Sequence, residues 1–224
     1  GGGERRPSRS IVANGYAYPF ISEWVLRQTL PYLSGLFVFS YGFTAEGNLI
    51  PPLLADEPLI AAAYEFGTAP VLVLTPFGPD GRFNNRLISS VVNNEIYAET
   101  LIQNLLYLME EKGYRGVDID FEYILAEDRD AFSAFVWQVA EAMREQGYRT
   151  SVALAPKTSS DQPGLLYEGK DYRALGEAAD SVLLMTYEWG YTYSPPMAVA
   201  PINKVRQVVE YALTEIAAEK IDVG

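Results

Sequence analysis

The feature that most constrains the fold is a repeated alternation of short apolar runs with longer segments of helical periodicity. Each apolar run is rich in Val, Ile, Leu, Phe or Tyr and is bounded by Gly, Pro or Ser, which is typical of buried strands. The predicted strands are Ile11–Tyr16, Gly35–Phe43, Pro70–Phe77, Gly116–Tyr123, Thr150–Pro156 and Ser181–Tyr187. The predicted helices are Ser22–Leu33, Glu57–Phe66, Asn93–Lys112, Arg129–Gln146, Asp171–Ala178 and Pro201–Ala217, with Asn93 as an N-cap and Gly113 and Gly147 as C-caps. Six strand–helix units in succession predict a parallel sheet with helices outside it.

The lengths of the connections favour a barrel over an open sheet. Connections that precede strands are short (residues 112–115 and 146–148), whereas those that follow strands are long (residues 78–92, 157–170 and 188–200). This asymmetry is typical of a (β/α)8 TIM barrel, an α/β fold whose active site is built by the loops after the strands. A doubly wound sheet is the rival, but it usually has a glycine-rich turn after its first strand, and residues 17–20 read Ala-Tyr-Pro-Phe.

The chain is short for eight units. A complete barrel needs about 250 residues, and this chain has 224. Residues 220–224 (Lys-Ile-Asp-Val-Gly) are typical of the opening of a seventh strand. We therefore expect a barrel domain over residues 11–224 that is truncated after about six units, preceded by a flexible lead-in over residues 1–10.

Composition excludes several classes of function. The chain has 17 basic and 29 acidic residues, a net charge of −12, which argues against nucleic acid as a partner. It contains no apolar run of about 18 residues, so no membrane span is expected, and residues 1–10 do not resemble a signal peptide. The absence of Cys and His excludes disulfides, Ser-His-Asp and Cys-His catalysis, and most zinc sites. We expect no metal and no cofactor, and acid–base chemistry is left to Asp, Glu, Tyr or Lys.

The run Arg-Gly-Val-Asp-Ile-Asp-Phe-Glu-Tyr at residues 115–123 is the most informative segment. Because side chains alternate along a strand, Asp118, Asp120 and Glu122 share one face, about 6.5–7 Å apart, and an apolar set shares the other. Three ionised carboxylates in a confined site would repel one another, so at least one should hold a proton. Glu122, nearest the mouth of the barrel, is the predicted general acid, and Asp120 the group that stays charged.

Two other interpretations of this run remain open. A solvated edge strand can carry alternating acids, although the opposite face here is fully apolar. An Asp-x-Asp-x-Asp-Gly calcium loop does not fit, because Tyr123 stands where glycine is required. A magnesium or calcium site on a barrel rim is the remaining alternative.

The same run resembles the Asp-x-x-Asp-x-Asp-x-Glu motif on the fourth strand of glycoside hydrolase family 18. Asp118, Asp120 and Glu122 match three of the four acids, and Arg115 replaces the first. The resemblance implies retaining hydrolysis assisted by the substrate, whose acetamido oxygen at C2 attacks the anomeric carbon. It also implies that Glu122 protonates the leaving oxygen and that Asp120 holds the acetamide.

A second matching segment closes the sixth predicted strand. Met185 and Tyr187 match the family's Met-x-Tyr element, which implies that Tyr187 donates a hydrogen bond to the acetamide. The region 185–211 is similar to the bacterial spore-cortex-lytic branch of the family. The resemblance implies an N-acetylglucosaminidase of peptidoglycan or spore cortex, located in the cell wall, the spore or outside the cell.

Aromatic residues near the predicted strand ends are candidates to stack on sugar rings. They are Tyr41, Phe77, Trp189 and Tyr191, with Met185 as a further substrate-binding candidate. A chitinase of the same mechanism is the nearest alternative function. A catalytically inactive, lectin-like barrel is another, although such relatives usually lose the glutamate that is present here at Glu122.

Overall fold

The structure, a computed structural model, describes residues 14–155, 157, 160–164, 167–185 and 202–223. The strands are β1 (Asn14–Ala17), β2 (Gly35–Phe43), β3 (Leu49–Ile50), β4 (Ala69–Leu74), β5 (Gly116–Ile119), β6 (Arg149–Leu154), β7 (Ser181–Leu184) and β8 (Ile221–Val223). The α-helices are α1 (Glu23–Thr29), α2 (Glu57–Glu65), α3 (Arg86–Val92), α4 (Glu95–Lys112), α5 (Arg129–Glu145), α6 (Tyr172–Ala178) and α7 (Ile202–Glu215). None of the helices within these residues is long and apolar enough to cross a membrane.

Within the described residues, seven strands form one parallel sheet in the order β1-β2-β4-β5-β6-β7-β8, and the short β3 pairs antiparallel with β2. The strand order follows the chain order without the reversal that defines a doubly wound sheet. The predicted seventh strand at the end of the chain is present as β8, paired parallel with β7. The barrel-type α/β fold predicted from the sequence is thus confirmed.

A single hydrogen bond shows that the sheet is strongly curled. The Tyr16 hydroxyl on β1 donates to Asp118 Oδ2 on β5 at 3.0 Å. Three strand spacings separate β1 from β5, and in a flat sheet they would place the two strands about 14 Å apart. Curling therefore brings β1 and β5 across a shared interior, as in a barrel wall.

The curled sheet has two apolar faces that are buried differently. The outer face packs under the helices in the main core, which includes Leu72, Leu74 and Val117. The inner face carries a smaller cluster of Phe37, Val73, Ala153, Leu183 and Met185. Residues alternate between these faces along each strand, because successive side chains of a strand point to opposite sides.

A β-bulge in β2 changes which side chains face inward. Its register against β4 shifts between Val38 and Tyr41. Before the shift Phe37 belongs to the inner cluster, whereas after it the odd-numbered Tyr41 and Phe43 belong to the outer core. An extra residue in one strand reverses the alternation beyond it, and this cannot be read from the periodicity alone.

Several boundaries differ from the sequence prediction, among them those of β5, α3 and α4. Strand β5 ends at Ile119 rather than Tyr123, and the expected loop over residues 78–92 contains helix α3. The N-cap of α4 is Asn94, whose side chain accepts hydrogen bonds from the Ile96 and Tyr97 amides. The predicted cap, Asn93, ends α3 instead and donates through Nδ2 to Asp128 Oδ1 at 2.8 Å. Gly113 caps α4 in the left-handed conformation as predicted, with φ of 86°.

Candidate active site

Asp118 lies at the centre of the inner face of the sheet. It is fully buried. Ser151 Oγ on the neighbouring β6 donates a hydrogen bond to its Oδ1 at 2.6 Å, and the Tyr16 hydroxyl donates one to its Oδ2. Asp118 stands level with Val73 on β4 and Ser151 on β6 in the strand register. The carboxyl group is therefore held from two sides by hydroxyl groups of other strands.

Burial raises the pKa of Asp118 to about 6, because transfer from water penalises the charged form more than the hydrogen bonds from Ser151 and Tyr16 favour it. The pKa of one carboxyl in the acidic run thus lies well above its usual range. The cause is burial, not repulsion between neighbouring carboxylates, and the affected group is the innermost one.

Asp120 and Glu122 follow the end of β5 toward the mouth of the barrel. Asp120 is 7% exposed, and its backbone N–H donates to Leu74 O at 3.0 Å. Between the two acids Phe121 is fully buried in the outer core, where its ring lies 5.5 Å from that of Phe43. Ile119 and Phe121, two residues apart, thus both belong to the outer core, as alternation along an extended backbone requires. Glu122 is half-buried, three residues beyond the last residue of the strand.

An aromatic cleft of about 590 Å³ opens at the ends of β1, β2 and β4. Tyr18, Phe20, Phe39 and Phe77 supply its rings, and the residues 50–54 and 78–81 form its other walls. The Tyr18 ring stacks on that of Phe20, with 5.1 Å between the ring centres, and its centre lies 4.9 Å from that of Phe39. Flat aromatic faces in a concave site suit the apolar faces of sugar rings.

A row of ring contacts connects this cleft to the acidic loop. The ring centres of Phe39 and Phe77 are 6.4 Å apart, those of Phe77 and Phe83 are 6.2 Å apart, and those of Phe83 and Tyr123 are 5.3 Å apart, each pair in an edge-to-face arrangement. Because Tyr123 directly follows Glu122, the aromatic row ends next to the predicted acid.

The predicted substrate-binding residues are placed differently from one another. Phe77 is half-buried in the cleft, and Met185 lies in the inner cluster. Tyr41 does not fit its predicted role, because the bulge in β2 turns it outward, where it is 1% exposed and donates to Asp56. Tyr187, Trp189 and Tyr191 lie outside the described residues.

Sequence reasoning missed Tyr16 and Ser151 as partners of Asp118. Tyr16 was assigned only to the first strand, and Ser151 only to the fifth. A polar side chain in each of two buried strands was an available signal. The pairing itself required knowledge of how far the sheet curls. Among the described residues, no three acidic side chains are grouped so as to hold a metal ion.

A curled parallel sheet with carboxyl groups and an aromatic cleft at the carboxyl ends of its strands is the arrangement of a barrel glycosidase. Comparison with known proteins agrees with this class. The model of glycosyl hydrolases family 18 matches residues 76–224, and the chain belongs to that family.

Several relatives within the family come from spore-forming bacteria. The cortical fragment-lytic enzyme of Bacillus subtilis is 38% identical over 97% of this chain and 51% of its own length. The crystal structure of the Bacillus cereus spore cortex-lytic enzyme SleL is 33% identical, with a TM-score of 0.89 over 99% of this chain and 52% of that one. The chain spans about half the length of these relatives. A Chromobacterium violaceum chitinase, 22% identical with a TM-score of 0.85 over 96% of this chain and 68% of that one, shares the fold.

Proposed function

We propose that this chain carries the catalytic centre of a retaining glycosidase that cleaves β-1,4-linked N-acetylglucosamine polysaccharide, namely peptidoglycan or spore cortex. The observation that carries the proposal is the position of Glu122, half-buried just beyond the end of β5, after the buried Asp118 and Asp120 and directly before Tyr123, at which the aromatic row ends. The similarity to the cortical fragment-lytic enzyme of Bacillus subtilis supports cortex as the polymer, and the spore or cell wall as the location.

In the proposed reaction the substrate supplies its own nucleophile. The acetamido oxygen at C2 bonds to the anomeric carbon while the glycosidic C–O bond breaks, and the Glu122 carboxyl transfers its proton to the leaving oxygen. The resulting glutamate then takes a proton from a water molecule, and this transfer restores the carboxyl. The oxygen of the same water molecule attacks the anomeric carbon and opens the cyclic intermediate. Two inversions at the anomeric carbon give net retention.

The neighbouring acids are proposed to orient the acetamide. Asp120, two residues before Glu122, is proposed to hold the acetamide N–H, with Tyr187 donating to its oxygen. Asp118 is assigned to the catalytic group on the resemblance, and its hydroxyl partners Tyr16 and Ser151 restrict the direction in which its carboxyl faces. Phe77 and the rings beside it are proposed to bind sugars away from the cleavage point.

Replacing Glu122 tests the proposal. Glu122→Gln should keep the fold and glycan binding but lower kcat by about 100-fold or more, because an amide does not donate the required proton. The assay uses the full-length gene product on purified cortex peptidoglycan and on chitin, with mass analysis of the products. It also reports whether chitin, the alternative polymer, is the better substrate.

The exposed Glu127, on the same connection, provides the matched control. Glu127→Gln removes the same charge and should keep full activity. Activity of Glu122→Gln within about tenfold of the parent would exclude Glu122 as the acid and leave a carbohydrate-binding role for the barrel.

A further inference from the structure

The connection that follows β6 packs tightly against the loop that carries Glu122. Gly169, near the end of this connection, is buried, and a Cβ atom added to it would lie 2.3 Å from Ile124 O and 2.6 Å from Ile124 Cγ2. Ile124 is 1% exposed and belongs to the outer core. It stands two residues after Glu122, so the backbone of Gly169 supports the acidic loop directly.

A glycine is required at position 169 because there is no room for a Cβ atom, and not because of its backbone conformation. Gly169 is not among the glycines with positive φ, so its backbone is one that other residues adopt. The atom closest to the added Cβ belongs to the backbone of Ile124, which cannot rotate away as a side chain can. Any larger residue must therefore separate the two loops.

A buried lysine hydrogen-bonds to the residue that follows Gly169. Lys157, 1% exposed, donates through Nζ to Lys170 O at 2.9 Å and lies 5.6 Å from the centre of the Tyr172 ring. The Tyr172 hydroxyl donates in turn to Ala155 O, at the end of β6. These contacts tie the two ends of the connection together and anchor them to the sheet, so the segment at Gly169 has little freedom to retreat from Ile124.

We propose that Gly169 is a positioning residue for Glu122, with Lys157 holding the surface on which the acidic loop rests. The proposal depends on the proposed function of Glu122 as the proton donor. A wider side chain at residue 169 would push Ile124, and with it Glu122, out of line with the leaving oxygen. Proton transfer demands close geometry, so a displacement of a fraction of an ångström slows the step that needs the acid.

The test measures how much each variant depends on the acid. The substrates are aryl glycosides of di-N-acetylchitobiose whose leaving groups range from 2,4-dinitrophenol, which departs without protonation, to phenol, which requires it. The quantity compared is kcat/KM of the full-length gene product, because it reports only the steps up to cleavage of the glycosidic bond. Gly169→Ala should lose about tenfold or more on the phenyl glycoside and less than about twofold on the dinitrophenyl glycoside.

Gly176 provides the matched control. It lies in α6, and an added Cβ would lie 2.7 Å from the Ile216 side chain, a clash in the core that is remote in sequence from the acidic loop. Gly176→Ala should therefore change thermal stability but affect both substrates equally. If Gly169→Ala does not fold, Lys157→Met, which removes the bond to Lys170 O without adding bulk, should show the same selective loss on the phenyl glycoside.

The outcomes separate the two proposals. In one outcome, Glu122→Gln shows the selective loss, but Gly169→Ala loses activity equally on all leaving groups or loses none. The positioning role is then overturned, while the proposed function stands. The same holds for Lys157→Met where it replaces Gly169→Ala. If Glu122→Gln itself shows no dependence on the leaving group, the proposed function fails first.

Discussion

Two hydroxyl groups hold the Asp118 carboxyl in the interior of the sheet. Those of Tyr16 and Ser151 come from strands distant in sequence, and both stabilise the ionised form. They do not balance the cost of burial, since the pKa of Asp118 still rises to about 6. A single buried side chain therefore couples the protonation of the site to the stability of the sheet.

This coupling predicts a pH dependence of stability with a definite sign. Because the pKa of Asp118 is higher in the folded chain than its usual 3.8, its contribution is fully present below pH 4 and is lost as the pH rises through about 6. The loss corresponds to about 3 kcal/mol. Asp118→Asn should abolish it, so the difference in free energy of unfolding between parent and variant, measured by urea denaturation, should change between pH 4 and 6.

Ser151→Ala gives a companion measurement. Removing the hydroxyl that donates to Asp118 should raise the pKa of that carboxyl further and move the same change to higher pH. A parent and an Asp118→Asn variant whose stability curves run parallel from pH 4 to 7 would contradict this assignment.

At the scale of the elements, one buried aspartate joins a strand to two helices. Asp56 Oδ2 accepts hydrogen bonds from the hydroxyls of Tyr41 at 2.5 Å and Tyr114 at 2.6 Å, and Oδ1 accepts from Lys112 Nζ at 2.6 Å. Burial acts to raise the pKa of Asp56, but the bonds from Lys112, Tyr114 and Tyr41 outweigh it and hold the pKa below its usual value. The start of α2, the bulged end of β2 and the end of α4 are thereby fixed together.

Breaking this junction should be costly. Asp56→Asn places an amide N–H₂ against donors and leaves Lys112 without its buried counter-charge, so we expect a loss of about 3–5 kcal/mol in the free energy of unfolding. Thermal and urea denaturation measure it. Glu57→Gln is the control, since Glu57 meets the same Lys112 from an exposed position and its loss should be small. Equal losses for the two variants would show that Asp56 has no special role.

At the scale of the whole molecule, the parallel sheet formed by the described residues has two edges. In the described part of the chain, β1 and β8 each pair with a strand on one side only. A cavity of about 540 Å³ lies at the amino-terminal ends of β2 and of β4 to β8, and its lining includes Phe37, Val71 and Asp222. Unpaired backbone groups along a strand edge are templates for association with another chain.

We therefore predict that the 224 residues produced alone associate. Sedimentation velocity at several concentrations should show dimers or larger species that increase with concentration. Extension by about two further strand–helix units should yield a monomer with a higher melting temperature. A 224-residue monomer that melts in one cooperative transition would mean that the seven parallel strands are sufficient by themselves, and the eight-stranded interpretation would be wrong.

Local sequence determined most of the elements, because strand and helix periodicities and glycine caps are properties of neighbouring residues. The strand that bears Asp118, helix α4 with its Gly113 cap and the seventh strand were all predictable in this way. The acidic run and its order along the chain also follow from sequence, since alternation depends only on the backbone. Helix α3 was missed within a long connection.

Tertiary structure decided which of these residues meet. The curl of the sheet brings Tyr16 into hydrogen-bonding distance of Asp118, 102 residues away in sequence. A bulge in β2 turns Tyr41 to the outer face of the sheet, where it donates a hydrogen bond to Asp56. The contact of Gly169 with Ile124 likewise depends on how two loops pack. Such encounters depend on sheet curvature, register and packing between distant segments, which leave no periodic trace in the chain, and they determine the surroundings in which Glu122 is proposed to act.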